Sequence, residues 1–217
     1  MRNAPATLAI VRTPFQAWLL LKILCVESVD QYDLLYFTQN DASEDRYYYT
    51  LLSAAASYSK YINVKPLGPD VSSHVRFAAN AKYWLRDRGY ERVFLASIDA
   101  YVPNSIASAQ KSAELITFDD GSANVLRTSN YFRRRRKLRE RLYAVLFRAS
   151  DVESLKSRVV KHYTVFNKLE NIVEYSRCRS IEPWSHRRRT TADKQARKTY
   201  FVGCPFDEIL TVKQIEK

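Results

Sequence analysis

A chain of 217 residues with 46% hydrophobic and 27% charged side chains can bury one core, or at most two small ones, and is not a disordered polymer. Its 35 Lys and Arg against 23 Asp and Glu leave a net charge of +12. That balance favours an anionic partner such as nucleic acid, phospholipid headgroups, a phosphorylated glycolipid or a nucleotide, with a solvated cationic face as the plainer alternative. The widely spaced Cys25, Cys178 and Cys204 form no C-x-x-C or Cys/His cluster, which excludes a disulfide framework and a zinc site and fits a reducing cytoplasm.

In chain order, strand-like apolar runs fall at 7–12, 32–38, 61–67, 92–96 and 114–118. Helical patterns occupy 15–29, 44–59, 72–88 and 102–109 between them. Arg12, Pro14 and Gln16 interrupt the apolar amino-terminal stretch, so it stays short of the roughly 20 residues a bilayer needs, and no signal-peptide cleavage site follows. Arg86, Arg88 and Gly89 read as a cationic last turn with a C′ glycine. Regular alternation of strand and helix predicts an α/β fold, a Rossmann-like parallel sheet with helices on both faces. After Asn124 the pattern weakens. A basic amphipathic helix is expected over 133–147, with Leu138, Leu142, Val145 and Leu146 on its apolar side, then a strand over 162–167. A polar, basic loop or linker is expected after residue 178, and a strand opens a second unit at 199–202.

The run Ile116-Thr117-Phe118-Asp119-Asp120-Gly121-Ser122-Ala123-Asn124 holds the most chemistry. A strand that stops at two carboxylates sets them at the carboxyl edge of a sheet, where open α/β folds place their ligands. Gly121 is one of only four glycines and is expected to serve a backbone conformation that a Cβ forbids. Alternation along a strand points Asp119 and Asp120 to opposite faces, so one can act as a base while the other holds the turn. A metal site suits D-x-D better than D-D, and a turn-forming, helix-capping aspartate is a further reading. Ser97-Ile98-Asp99 ends the preceding strand in the same manner, so two acid-tipped strands line one crevice. Thr13 and Pro14 read as cap and first residue of a helix, from which Gln16 can reach a ligand. No G-x-G-x-x-G, P-loop or G-x-S-x-G occurs. None of the three histidines precedes proline, and His162 reads as structural. The arginine run at 133–141 lacks the interleaved aromatics of single-strand binders.

Five segments, in this order, resemble glycosyltransferase family 52, the bacterial lipooligosaccharide sialyltransferases. They are TPFQ (13–16), RVFLASID (92–99), ITFDDGSAN (116–124), HYTVFNKLENIVE (162–174) and YFVGCPFDE (200–208). The resemblance implies a two-domain glycosyltransferase-B fold of which this chain holds the N-terminal half. Residues 1–178 would form the acceptor-side domain with a helical insert at 125–160, 179–198 a basic linker, and 199–217 the start of an incomplete nucleotide-sugar-binding domain.

It implies transfer of sialic acid from CMP-sialic acid to the terminal galactose of lipooligosaccharide, with inversion and with no metal or cofactor. A carboxylate takes the acceptor proton and a His-Pro histidine assists departure of CMP. Asp119 and Asp120 match the acid-acid-Gly motif. Asp207 falls near a second family aspartate proposed as base, with Phe206 as the alternative occupant of that column. Thr13, Pro14, Gln16, Ser97, Asp99, Gly121, Ser122 and Asn124 are the expected substrate-binding residues, and Gly203, Cys204 and Pro205 the expected donor-binding ones. The expected partners are a nucleotide-sugar donor, a glycolipid acceptor and a second copy of the chain, with peripheral contact to an anionic membrane surface and no nucleic acid. The location implied is the bacterial cytoplasm, peripheral at the inner membrane. A His-Pro motif and most of the donor domain would lie beyond Lys217, so the chain alone is expected to be inactive or severely impaired. A non-catalytic glycan- or partner-binding domain and a basic nucleic-acid-binding protein are the remaining readings.

Overall fold

The computed structural model describes residues 7–64, 71–85, 88–133, 137–166 and 169–182, all within the unit Met1–Pro183. Seven parallel strands form one sheet: β1 (Thr7–Val11), β2 (Tyr32–Thr38), β3 (Ala56–Asn63), β4 (Arg92–Leu95), β5 (Glu114–Phe118), β6 (Val159–Thr164) and β7 (Cys178–Ser180). Their order is β3-β2-β1-β4-β5-β6-β7. β1 and β2 are buried along their whole length, as strands covered on both faces must be. This is the Rossmann-like α/β architecture that the strand-helix alternation predicts.

Alternate residues feed two cores. Ala9, Val11, Leu34, Tyr36, Phe94, Ile116 and Phe118 pack with α1 (Pro14–Val26) and α2 (Ser43–Ser53) on one face. Leu8, Ile10, Leu35, Phe37, Val93, Leu95 and Leu115 pack with α3 (Val71–Leu85), α4 (Tyr101–Ala109), α5 (Leu138–Phe147) and α6 (Val152–Arg158) on the other. The chain leaves β1 toward β2 and β3, then crosses back to pair β4 with the opposite side of β1. The crevice above β1 and β4 is therefore the topological switch point. Ile10 lies beside Leu95, Leu95 beside Thr117 and Thr117 beside His162, so the carboxyl ends of β1, β4, β5 and β6 sit side by side.

Away from the sheet centre the boundaries differ from those predicted. α2 stops at Ser53 and β3 starts at Ala56, within the span whose alanines suggest helix. Pairing with β2 and the stacking of Tyr61 on Tyr36, ring centres 5.4 Å apart, outweigh that local preference. α3 ends at Leu85, and Gly89 does not take the left-handed conformation; among the described glycines only Gly121 has a positive φ. Arg88 is not a helix-end charge but the partner of the buried Asp33, which also accepts from the Tyr90 hydroxyl at 2.6 Å. α5 starts at Leu138 rather than 133. A further helix, α6, is capped by Asp151, whose carboxylate accepts from the Glu153 amide at 3.1 Å. β6 begins at Val159, and Cys178–Ser180 adds a strand where a loop is expected. The expected strand 199–202 and the second unit it opens lie outside the described residues. Among the described residues no helix is long and apolar enough to cross a membrane.

Candidate active site

The first turn of α1 supplies the central strut. Thr13 caps the helix, its hydroxyl accepting from the Gln16 amide at 3.3 Å, and Pro14 takes the first helical position, where its missing N–H costs nothing. This seats Gln16, which is buried, directly over the ends of β4 and β5. Its Oε1 accepts from the Arg12 amide at 2.8 Å. Its Nε2 donates to Ser97 Oγ at 2.9 Å and to Asp120 Oδ1. Ser97, held in the left-handed region at φ 53°, donates in turn to Asp120 Oδ2 at 2.6 Å. A non-glycine residue in that conformation costs roughly 1–3 kcal/mol and is retained where neighbours over-determine it. The Tyr131 hydroxyl adds a third donor to Asp120 at 3.4 Å. Segments separated by about a hundred residues thus converge on one carboxylate at the switch point.

Asp119 points the other way, as strand alternation requires. It is fully buried and accepts from Val165 N at 2.7 Å, Thr164 Oγ1 at 2.9 Å and Asn171 Nδ2 at 3.4 Å. His162 Nε2 lies 3.1 Å away, and the other ring nitrogen pairs with Thr117 Oγ1 at 2.8 Å. Every lone pair of Asp119 is engaged in tying β5 to β6 and the segment after it. His162 is a satisfied core residue.

Gly121 makes the change of direction possible. Its φ of 104° and ψ of −158° belong to a region that essentially only glycine populates. It turns the chain into a short 3-10 segment, Ser122–Asn124. Neither aspartate caps that segment. Instead Asn124 Oδ1 accepts from the Asp120 amide at 2.7 Å and fixes the backbone under the carboxylate. The Asn124 Nδ2 is buried with no hydrogen-bond partner among the described residues.

Asp99, half-buried, sits beside Asp120 across the crevice. Burial first, and the Asp120 charge second, push its pKa above the usual carboxylate range, with Arg12 opposing. Tyr131 hydrogen-bonds both carboxyl groups, and burial together with their charges raises its hydroxyl well above a normal phenol. Two hollows share Asp99, Tyr101 and Asn130. One, of about 280 Å³, is bounded by Arg12, Phe37, Gln39 and His74; the other, of about 200 Å³, by Arg133 and Glu140. A concave region of this scale with convergent polar groups is the form of a small-ligand site.

The structure thus gathers Gln16, Ser97, Gly121 and Asn124 about Asp120, places Asp99, which lines both hollows, beside it, and leaves Asp119 beneath. Thr13 and Pro14 act at its edge by starting α1, and Ser122 is exposed on the turn. Gly203, Cys204, Pro205 and Asp207 lie outside the described residues. Sequence reasoning missed Tyr131, one of 15 tyrosines in a segment without periodicity, and Arg12 and His74 on the crevice wall. Among the described residues no three His, Cys, Asp or Glu side chains are grouped as a metal would require.

A family model described as glycosyltransferase family 52 matches residues 37–217. An N-acetyllactosaminide alpha-2,3-sialyltransferase of Haemophilus influenzae is 26% identical over 196 residues, covering 89% of this chain and 62% of that protein. The protein of the same name from Neisseria meningitidis is 26% identical over 91 residues, 40% of this chain and 24% of its own. The chain spans less than two thirds of the length of these curated relatives.

Proposed function

Because the chain belongs to glycosyltransferase family 52, we propose that it carries the acceptor-activating side of a sialyltransferase, with Asp120 as general base. The donor is CMP-sialic acid and the acceptor a terminal galactose of the N-acetyllactosamine type, carried on lipooligosaccharide. The acceptor hydroxyl gives its proton to Asp120 as its oxygen attacks the anomeric carbon of sialic acid from the face opposite CMP. One carbon–oxygen bond forms, the bond to the CMP phosphate breaks, and the electron pair leaves with the phosphate. Inversion follows from that in-line geometry.

Gln16, Ser97 and Tyr131 orient the Asp120 carboxylate so that no reorganisation is needed at the moment of transfer. Asp99 beside it keeps its proton to higher pH than an ordinary carboxyl, through burial first and the Asp120 charge second. In this reading the reaction takes no metal and no cofactor. We assign it to the bacterial cytoplasm, where nucleotide sugars are made. None of this chain's histidines precedes proline, so no residue here is given the leaving-group role.

The supporting observation is the division of labour between the acidic neighbours: the Asp119 carboxylate is consumed by four contacts, whereas Asp120 is held by three donors at the switch point. The test is transfer of sialic acid from CMP-sialic acid to N-acetyllactosamine. Asp120→Asn is expected to lower the rate about 10²–10⁴-fold while leaving the melting temperature within a few degrees. Transfer that survives the substitution would overturn the assignment.

A further inference from the structure

α5 is apolar on two sides. Its inner side is fully engaged: Phe147 stacks on Tyr101 at 5.4 Å, Tyr143 meets the same ring edge-on at 5.7 Å, and Lys82 Nζ and Ser105 Oγ donate to the Phe147 carbonyl. The outer side nonetheless carries Leu138, Leu142, Val145 and Leu146, which are 72%, 59%, 77% and 50% exposed. Positions 138, 142, 145 and 146 fall on one stripe of a 3.6-residue helix. This stripe lies opposite Phe147, so no adjustment within the domain buries it.

Arg139 and Arg141 lie at 100° steps on either side of the stripe, one along each edge. Among the described residues neither pairs with a carboxylate: Glu140 is bound to Arg133 at 2.7 Å, and Arg139 donates through Nε to the Tyr143 hydroxyl at 3.2 Å. Over the whole segment 133–148, eight cationic side chains face one acid. A second copy of the chain would bring these like charges together across a two-fold axis. A duplex would meet the arginines but leave four aliphatic side chains in water. A surface that is anionic at its rim and hydrocarbon beneath satisfies both features at once.

We propose that the outer face of α5 is a docking site for anionic phospholipid bilayer. The leucines and valine enter the headgroup–acyl boundary while Arg139, Arg141 and Lys137 engage the phosphates. Glu140, in the first turn of α5, and Arg133, its ion-pair partner, bound the same hollow as Asp99. Docking therefore holds the crevice near the lipid surface and presents it to an acceptor carried on lipid; this last clause alone rests on the transferase reading.

The experiment is co-sedimentation of the 217-residue chain with vesicles of phosphatidylglycerol and phosphatidylcholine mixed one to two, against pure phosphatidylcholine. No donor sugar or acceptor is present, so its failure is distinct from failure of transfer. The expected result is binding to the anionic vesicles only. Leu142→Glu with Val145→Glu, and separately Arg139→Gln with Arg141→Gln, should each weaken it about tenfold or more with an unchanged melting curve, since all four side chains face solvent. Equal binding to neutral vesicles, or native affinity in either folded variant, overturns the proposal. So does the absence of vesicle binding in a chain that sediments as a dimer and becomes monomeric with Leu142→Glu and Val145→Glu, because the face then belongs to a second copy.

Discussion

Asp119 and Asp120 are adjacent in the chain and identical in chemistry, yet they inhabit two different regions. The first lies among β5, β6 and Asn171, sealed from solvent and saturated with donors. The second lies among α1, the end of β4 and Tyr131, saturated on one side and bordering a crevice. One residue of strand alternation sends them apart, and Gly121 then turns the chain before a third side chain is added. The lesson is that an acid pair at a strand end is not a bidentate site. It is one structural carboxylate and one available carboxylate, and the partners that decide which is which come from distant segments.

The sharpest way to break this division is to remove the buried member. Asp119→Ala strands the Val165 amide, the Thr164 hydroxyl, Asn171 and His162 without their acceptor. The expected cost is about 3–5 kcal/mol, read as a lower denaturation midpoint. Against a total stability of roughly 5–15 kcal/mol, that leaves a marginal fold. Asp120→Asn, by contrast, is expected to spare the fold and abolish transfer. Equal destabilisation by both substitutions would erase the distinction.

A smaller effect comes from the pivot. Gly121→Ala meets no neighbouring atom within 4 Å, so its penalty is conformational rather than steric. At φ 104° that penalty is roughly 1–3 kcal/mol. Chemical denaturation of the variant measures it. A cost near zero would mean that the turn has no need of glycine and does not set the Asp120 direction.

The smallest effect is in the pH dependence, and it belongs to the Asp120 side alone. Asp99 has its folded-state pKa raised by burial and by the Asp120 charge. Its contribution to stability is therefore fully present below the unfolded value, about 3.8, and is lost as pH rises through the elevated folded value. Asp99→Asn removes that loss. The variant should gain stability relative to the native chain as pH rises from acid to neutral, in parallel denaturation series. A difference that stays flat with pH would show that neither burial nor the Asp120 charge shifts Asp99 in the folded chain.

How much of this was legible depended on where stability comes from. β1, β2, β4 and β5 are short apolar runs between helical patterns, and burial on both faces writes itself into composition. Near the rim, pairing and ring stacking decide. β3 carries Tyr58, Lys60 and Tyr61 and preceding alanines that suit helix equally well, and β7 is three residues of mixed polarity. Gly89 shows the limit of local punctuation: it follows a helix and two arginines, yet Arg88 is drawn to the buried Asp33. At the site, the D-D-G strand end and the T-P-x-Q helix start were visible. Gln16 was expected to reach a ligand; it is instead a buried strut that holds the Asp120 carboxylate.

By itself the sequence determined the parallel α/β class, the location of the acidic strand end and the opposite facing of its two aspartates. These follow from periodicity and backbone stereochemistry, which act over a few residues. Only the tertiary structure decided that Asp119 is sealed and Asp120 partly exposed, that Tyr131 bridges Asp120 to Asp99, and that the apolar stripe of α5 points outward. Those outcomes depend on which distant donors and which packing partners occupy each side of the sheet, and no local pattern encodes them.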